Sequence, residues 1–311
     1  MTNRKCRSRI IIVLMRNNSI CDSGSVGRVQ PCQGWGRGFE PRLSLLIKRF
    51  SICFGDLLFF CTATIQGEEN CMELQIYHSV NEGLYLWNGT SGLLIDGLHR
   101  GREIGFSDTS EQYICMMRQG RSFFAKPNDL LFTHIHEDHY DQALVDEFQQ
   151  RYPGRIVYAP GLDKDNIQPV VLEHGIARMQ IEEYEVYAFT TVHDGKIYED
   201  EPHCSYLIRW KNRWIWVSGD AILVPELADR IRTYTGQDNV WKAFVMVYQI
   251  SSESGKAFLK KLAPEQICLY HLPYPEDDRY HFCNLAEQKC RQCKAEGLPV
   301  KMIASDSFID S

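Results

Sequence analysis

Six residues, His134-Ile135-His136-Glu137-Asp138-His139, place three imidazoles and a carboxylate in one short stretch. Both side-chain types ligate zinc and related divalent ions. In an extended segment residues 134 and 136 point the same way, because side chains alternate with period two, so together they can bind one ion. Where the chain then turns, Asp138 and His139 are redirected and can reach a second ion. Further residues of ligand type each come after an apolar stretch: His193 after 189–192, Asp220 after 214–218 and a turning Gly219, and His271 after 267–270. A divalent ion lowers the pKa of bound water toward roughly 7 and supplies hydroxide near neutral pH. A second ion can polarise a substrate oxygen and stabilise the negative charge that develops. Asp138 or Asp220 would orient the nucleophile, and Asp138 can take its proton. The chemistry expected is hydrolysis of an ester, lactone, thioester, amide or phosphodiester. His203 rivals His193 but opens a strand, and is read as a packing or pocket-edge residue. His78, His99 and His174 have no motif around them and are read as structural or exposed.

The elements that must position these groups can be traced along the chain. Alternation or short apolar runs predict strands over 73–79, 83–87, 92–95, 129–132, 155–159, 176–181, 185–191, 204–210, 213–218, 244–247, 266–270 and 300–303. Helices are expected over 109–118, with Ser107 or Asp108 as cap, and over 141–151, with Ala143, Leu144, Val145 and Phe148 as the apolar face. Further helices are expected over 225–232, 255–262 and 284–296. The histidine run thus lies between a buried strand and a helix, and the later candidates lie at strand ends. The mixture of hairpins and later helices predicts an α/β protein of sheets covered by helices. No dinucleotide or phosphate-loop motif accompanies it.

In this order the candidates resemble the metallo-β-lactamase superfamily over nearly all of residues 72–311. Asp96, in Leu93-Leu94-Ile95-Asp96-Gly97, fits its first motif, the 134–139 run its second, and His193, Asp220 and His271 the remaining three. The resemblance implies the αββα four-layer sandwich. It implies that His134, His136 and His193 hold one metal, that Asp138, His139 and His271 hold the other, and that Asp220 bridges the two. Asp96 would orient ligands from behind. Zinc is the expected ion by ligand type, with manganese or iron suited to an oxygen-richer site. β-Lactamases with two metals often use Cys where this chain has Asp220, so antibiotic hydrolysis is not expected. Tyr140-Asp141 replaces the usual Gly-Gly, which resembles the branch of sugar-phosphate lactonases and assorted small hydrolases. The readings that compete with a small-molecule hydrolase are a phosphodiesterase or nuclease of the same superfamily and a non-catalytic or redox metal-binding protein.

The rest of the 311 residues narrows the setting. The chain carries a net charge of −6 and is 44% hydrophobic, which fits a folded protein and gives no basic surface for a long nucleic acid. No apolar run approaches 18 residues, so a membrane-spanning helix is not expected. Residues 1–71 differ in character from residues 72–311. The first stretch carries a net +5 and six of the twelve cysteines but no histidine, whereas the second carries a net −11. Residues 24–42 resemble a translated tRNA gene, so residues 1–71 are read as an over-extended reading frame with the natural start at Met72. A poorly packed extension and a targeting segment are the alternatives. Cys290 and Cys293 fall on one helix face and are read as packing residues, with a zinc site near His281 and Cys283 as the alternative. Scattered single cysteines after Met72 fit a reducing cytoplasm. The charged segment 274–281 is read as a solvated loop or a substrate rim.

Overall fold

The structure, a computed structural model, describes residues 73–164 and 167–309. The expectation for residues 1–71 lies outside them. The described residues form two seven-stranded sheets. The first holds β1 (Gln75–His78), β2 (Leu84–Trp87), β3 (Gly92–Ile95), β4 (Pro127–Leu131), β5 (Val157–Tyr158) and β6 (Ile167–Gln168). The second holds β7 (Ile176–Ile181), β8 (Tyr184–Thr190), β9 (Cys204–Trp210), β10 (Arg213–Val217), β11 (Val240–Val245), β12 (Gln266–Leu269) and β13 (Val300–Met302). A last strand, β14 (Ser307–Ile309), returns to pair with β1.

Period-two alternation divides the side chains into layers. Leu84 and Leu86 of β2 face Val186, Ile208 and Phe244 between the sheets, whereas Tyr85 points out beneath the helices α1 (Glu111–Gln119) and α2 (Gln142–Arg151). On β10, Ile215 and Val217 join the core between the sheets. Trp214 and Trp216 pack outward among residues of α3 (Pro225–Thr235), α4 (Val247–Ser251), α5 (Glu253–Leu262) and α6 (Phe282–Ala295). The outcome is the four-layer αββα sandwich. Strands covered on both faces are nearly continuous in apolar residues, which is why β9 and β10 stand out in the sequence.

Two expectations need correction. The α1 cap is Ser110, whose hydroxyl accepts from the Tyr113 N–H at 3.3 Å. Ser107 is buried and bonded to Asn81 and Tyr274, and Asp108 accepts from the Arg102 N–H, so neither is free to cap. Ala143 is exposed, leaving Leu144, Val145 and Phe148 as the buried face of α2. Cys290 and Cys293 pack into the helix-side core, as expected. No helix among the described residues is long and apolar enough to cross a membrane.

Strand direction brings the candidates to one rim. β3 and β4 are parallel, so Asp96 and the 134–139 run leave the first sheet at the same end. β10, β11 and β12 are parallel, and β8 shares their direction through antiparallel β9, so His193, Asp220 and His271 also emerge together. The Cys204 N–H donates to the Thr133 carbonyl at 2.8 Å and the Tyr206 hydroxyl to that of Phe132 at 2.6 Å, which ties the two sheets together at this rim.

Candidate metal centre

Three imidazole nitrogens converge. His134 Nε2 lies 3.0 Å from His136 Nδ1, and His193 Nε2 lies 3.3 Å and 3.1 Å from those two atoms. The opposite ring nitrogens each face a group that can accept a proton. His193 Nδ1 donates to the Asp194 carbonyl at 2.5 Å. His134 Nδ1 faces Thr133 Oγ1 at 3.2 Å, and His136 Nε2 faces Glu201 at 3.6 Å. Protons on those outer nitrogens leave three lone pairs pointing at one spot. Burial, then the neighbouring His139, hold His134 well below the ordinary imidazole pKa; burial and His193 lower that of His136. Three ring nitrogens that converge and cannot satisfy one another are what a cation requires.

A second group adjoins the first. Glu82, His139, Asp220 and His271 offer ligand atoms that all lie within 4.8 Å of one another. Asp220 reaches both groups: Oδ2 is 3.5 Å from His193 Nε2, and Oδ1 is 3.4 Å from His139 Nε2 and 3.7 Å from His271 Nε2. Asp138 stands beside this group, bonded through Oδ2 to His271 Nε2 at 3.1 Å and 4.0 Å from His139 Nε2. His139 Nε2, Asp220 Oδ1 and both Glu82 carboxylate oxygens are buried without a hydrogen-bond partner. Burial opposes the imidazolium of His139, but the carboxylates of Glu82, Asp138 and Asp220 outweigh it and carry its pKa well above the ordinary value. His271 is lifted to about 9, where Asp220 and Glu82 overcome its burial. Burial raises Glu82 to about 8 against the pull of His139 and His271.

A layer of buried groups fixes these donors. Asp96 accepts from the Thr133 N–H at 2.8 Å, from Thr133 Oγ1 at 2.7 Å and from His139 Nδ1 at 3.2 Å. His203 accepts the Asp220 N–H at Nε2 (3.0 Å) and faces Thr191 Oγ1 through Nδ1 (2.7 Å), so it positions Asp220 and has no nitrogen left for a metal. Burial holds it neutral, with its pKa pushed down to about 3. Gly219 precedes Asp220 at φ +54, and a Cβ there would meet His203 Nε2 at 2.7 Å and Thr133 Cβ at 2.8 Å. Gln249 on α4 donates to the carbonyls of Gly219 and Ala221 at 2.9 and 2.8 Å, bracing the same turn. At the mouth, Tyr198 packs on His136 and His193, and Phe106 on His271. A cleft of about 790 Å³ lined by Asp146, Arg155 and Lys164 lies instead at the start of β5, the end of the sheet away from the histidines.

All eight candidates of the sequence therefore meet at one rim. Sequence reasoning did not single out Glu82, Thr133 or Gln249 as part of it, and read His203 as a packing or pocket-edge residue. Thr133 carried a local signal, being adjacent to His134 at the end of β4. Glu82 carried none, since Asn81-Glu82-Gly83 reads as an ordinary turn.

No family model matches the chain, and no curated protein matches it. Solved structures do. Igni18, a metallo hydrolase from Ignicoccus hospitalis, is similar at a TM-score of 0.54 and 15% identity, covering 76% of this chain and 97% of that one. The metallo-β-lactamase fold protein YhfI from Bacillus subtilis is similar at 0.54 and 10%, covering 76% and 99%. The E377D mutant of the β-hydroxylase CmlA is similar at 0.51 and 14%, covering 77% and 54%. The chain has the metallo-β-lactamase fold, a scaffold that these proteins use for more than one chemistry.

Proposed function

We propose that the chain is a metal-dependent hydrolase acting on a small-molecule ester, lactone or thioester with two divalent ions. The observation that carries this reading is the convergence of His134 Nε2, His136 Nδ1 and His193 Nε2 within 3.3 Å, each with its other nitrogen already directed at a partner. In this reading those three hold one ion, Asp138, His139 and His271 serve the other, and Asp220 spans both. The charge balance supports two ions. Glu82, Asp96, Asp138 and Asp220 are buried carboxylates around the histidines, and unmatched buried charge is costly.

Ions bound there would acidify water and polarise the substrate oxygen. The protein supplies the rest. Burial opposes ionisation of Asp138, yet His139 and His271 hold its pKa below the usual carboxylate value, so it stands ready as a charged acceptor for a proton from water. Asp96, Thr133 and His203 fix ring and carboxylate orientation. The segment 194–201 beside His136, exposed over 195–200, carries Asp194, Glu199, Asp200 and Glu201 against Lys196, a rim that repels a polyanion and favours a small substrate over a long nucleic acid.

A redox reading is favoured by one observation, the carboxylate of Glu82, which adds oxygen character beyond the expected ligand set. Metal analysis and then a screen of lactone, thioester and phosphodiester substrates separate the two. His136→Ala is expected to lose one metal equivalent and at least about 100-fold in turnover, more than groups that only orient ligands cost. Less than one equivalent of metal in the repleted wild type, or unchanged turnover in H136A, overturns the hydrolase.

A further inference from the structure

Glu82 lies in the turn between β1 and β2, at the rim because β2 runs antiparallel to β3. The turn is not loosely attached. The Ser79 N–H donates to the Gly83 carbonyl at 2.9 Å and the Gly83 N–H to that of Val80 at 3.0 Å. Asn81 takes a left-handed φ of +51, and its carbonyl accepts the His271 N–H at 2.7 Å while its own N–H donates to Leu272 at 3.3 Å. The Asn81 side chain exchanges two further bonds with the Ser107 backbone. His271 is itself left-handed, at φ +58. The backbone thus locks Glu82 and His271 into one unit, with Glu82 Oε1 3.9 Å from His271 Nε2.

The carboxylate faces two rings of the site, His139 and His271. It is fully buried, and neither oxygen has a hydrogen-bond partner. Oε2 comes within 3.0 Å of His139 Nδ1, a nitrogen that Asp96 Oδ2 and Thr133 Oγ1 also approach at 3.2 Å. If packing were its only use, an apolar side chain would fill the position without leaving two buried polar atoms unsatisfied.

We infer that Glu82 is a ligand of the second metal position, and that with Asp220 and the adjacent Asp138 it makes that position carboxylate-rich and selective for Mn²⁺ or Fe²⁺ over Zn²⁺. This inference rests on the two-ion hydrolase reading. The imidazoles of His139 and His271 supply nitrogen, and the carboxylates supply the oxygen majority that harder ions prefer. The three-histidine position keeps an all-nitrogen protein set apart from shared Asp220 and is the zinc-type position of the pair.

The test is Mn²⁺ and Zn²⁺ titration of the metal-free full chain, wild type against Glu82→Gln, read by bound-metal stoichiometry, chelator competition and the Mn²⁺ electron paramagnetic resonance spectrum. Wild type should bind two equivalents. E82Q should keep one equivalent unchanged and hold the other at least about 100-fold more weakly for Mn²⁺, with a smaller loss for Zn²⁺. A residue acting only behind the ligands costs about 10- to 100-fold, so a smaller loss overturns the assignment. If E82Q does not fold, Glu82→Asp withdraws the carboxylate by one methylene and must show the same selective loss. Wild type that binds no metal overturns both this inference and the hydrolase, whereas two tight equivalents in E82Q overturn this inference alone.

Discussion

Thr133 makes no contact that sequence alone would value, yet its hydroxyl stands among three site groups. It donates to Asp96 and lies 3.2 Å from both His134 Nδ1 and His139 Nδ1. Thr133→Val keeps the volume and leaves the His134 N–H without its partner. Metal affinity is expected to fall about 10- to 100-fold while far-ultraviolet circular dichroism stays unchanged; affinity within twofold of wild type would show that Asp96 suffices alone. His99 makes a different prediction. It is buried, its Nε2 faces the Val80 carbonyl at 3.3 Å, and its Nδ1 faces the Asn81 amide at 3.4 Å. Burial, with His139 nearby, pushes its pKa down to about 3, against about 6.5 when unfolded. The unfolded chain then binds a proton that the folded chain refuses, so this contribution to stability is full above about pH 6.5 and is lost as pH falls toward 3. Urea unfolding of metal-free wild type and His99→Gln at pH 7.5 and 5.5 should show the variant gaining on wild type at the lower pH. A pH-independent difference between them would refute this.

At the scale of elements, the site depends on how strands end. β10 stops at Val217, and Gly219 turns Asp220 into the rim while its N–H donates to the Tyr270 hydroxyl at 3.1 Å. Gly219→Ala combines a left-handed φ with a Cβ pressed against His203 and Thr133. A loss of about 1–3 kcal/mol in stability is expected from the backbone, with metal uptake impaired as Asp220 shifts. Unfolding and metal titration of the same variant check both halves, and normal values for each would show that the turn tolerates a side chain. The short helix α4 has a related purpose. Its Gln249 also accepts from Met246 N–H and Ser218 Oγ, so one amide holds both sides of the turn.

At the scale of the whole molecule, ions bound in the proposed site would couple to stability, because the rim that gathers the candidate ligands also joins the two sheets. The facing ring nitrogens of His134, His136 and His193, with the unpartnered oxygens of Glu82 and Asp220, are groups that bound cations would satisfy. Binding to the folded state alone adds RT ln(1 + [M]/Kd), about 4 kcal/mol at a thousandfold excess over Kd. For a unit of this size that is roughly 8–16 °C in melting temperature. Removing metal with a chelator should lower the melting point by that order, and adding it back should restore it; a melting point indifferent to metal would mean that the site does not bind in solution.

The local features of this protein were legible in its sequence. The 134–139 spacing needs only a strand end and a turn to aim four donors, and the nearly continuous apolar runs of β2, β9 and β10 announce strands buried on both faces. Short elements with weak patterns, such as α4, β6 and β14, left little signal, because neighbours rather than periodicity stabilise them. Distant choices belong to the tertiary structure. Both His193 and His203 lie beside suitable strands. Only their partners decide between them: His203 spends its nitrogens on Thr191 and Asp220, while His193 keeps Nε2 for the site. The arrival of Glu82 and the placement of Asp138 beside its group come from the pairing of β2 with β3 and from the backbone bonds between Asn81 and the His271 loop. Residue types fix what chemistry is available. Which donors meet depends on strand register and loop pinning, which join residues some 190 positions apart and so leave no local trace.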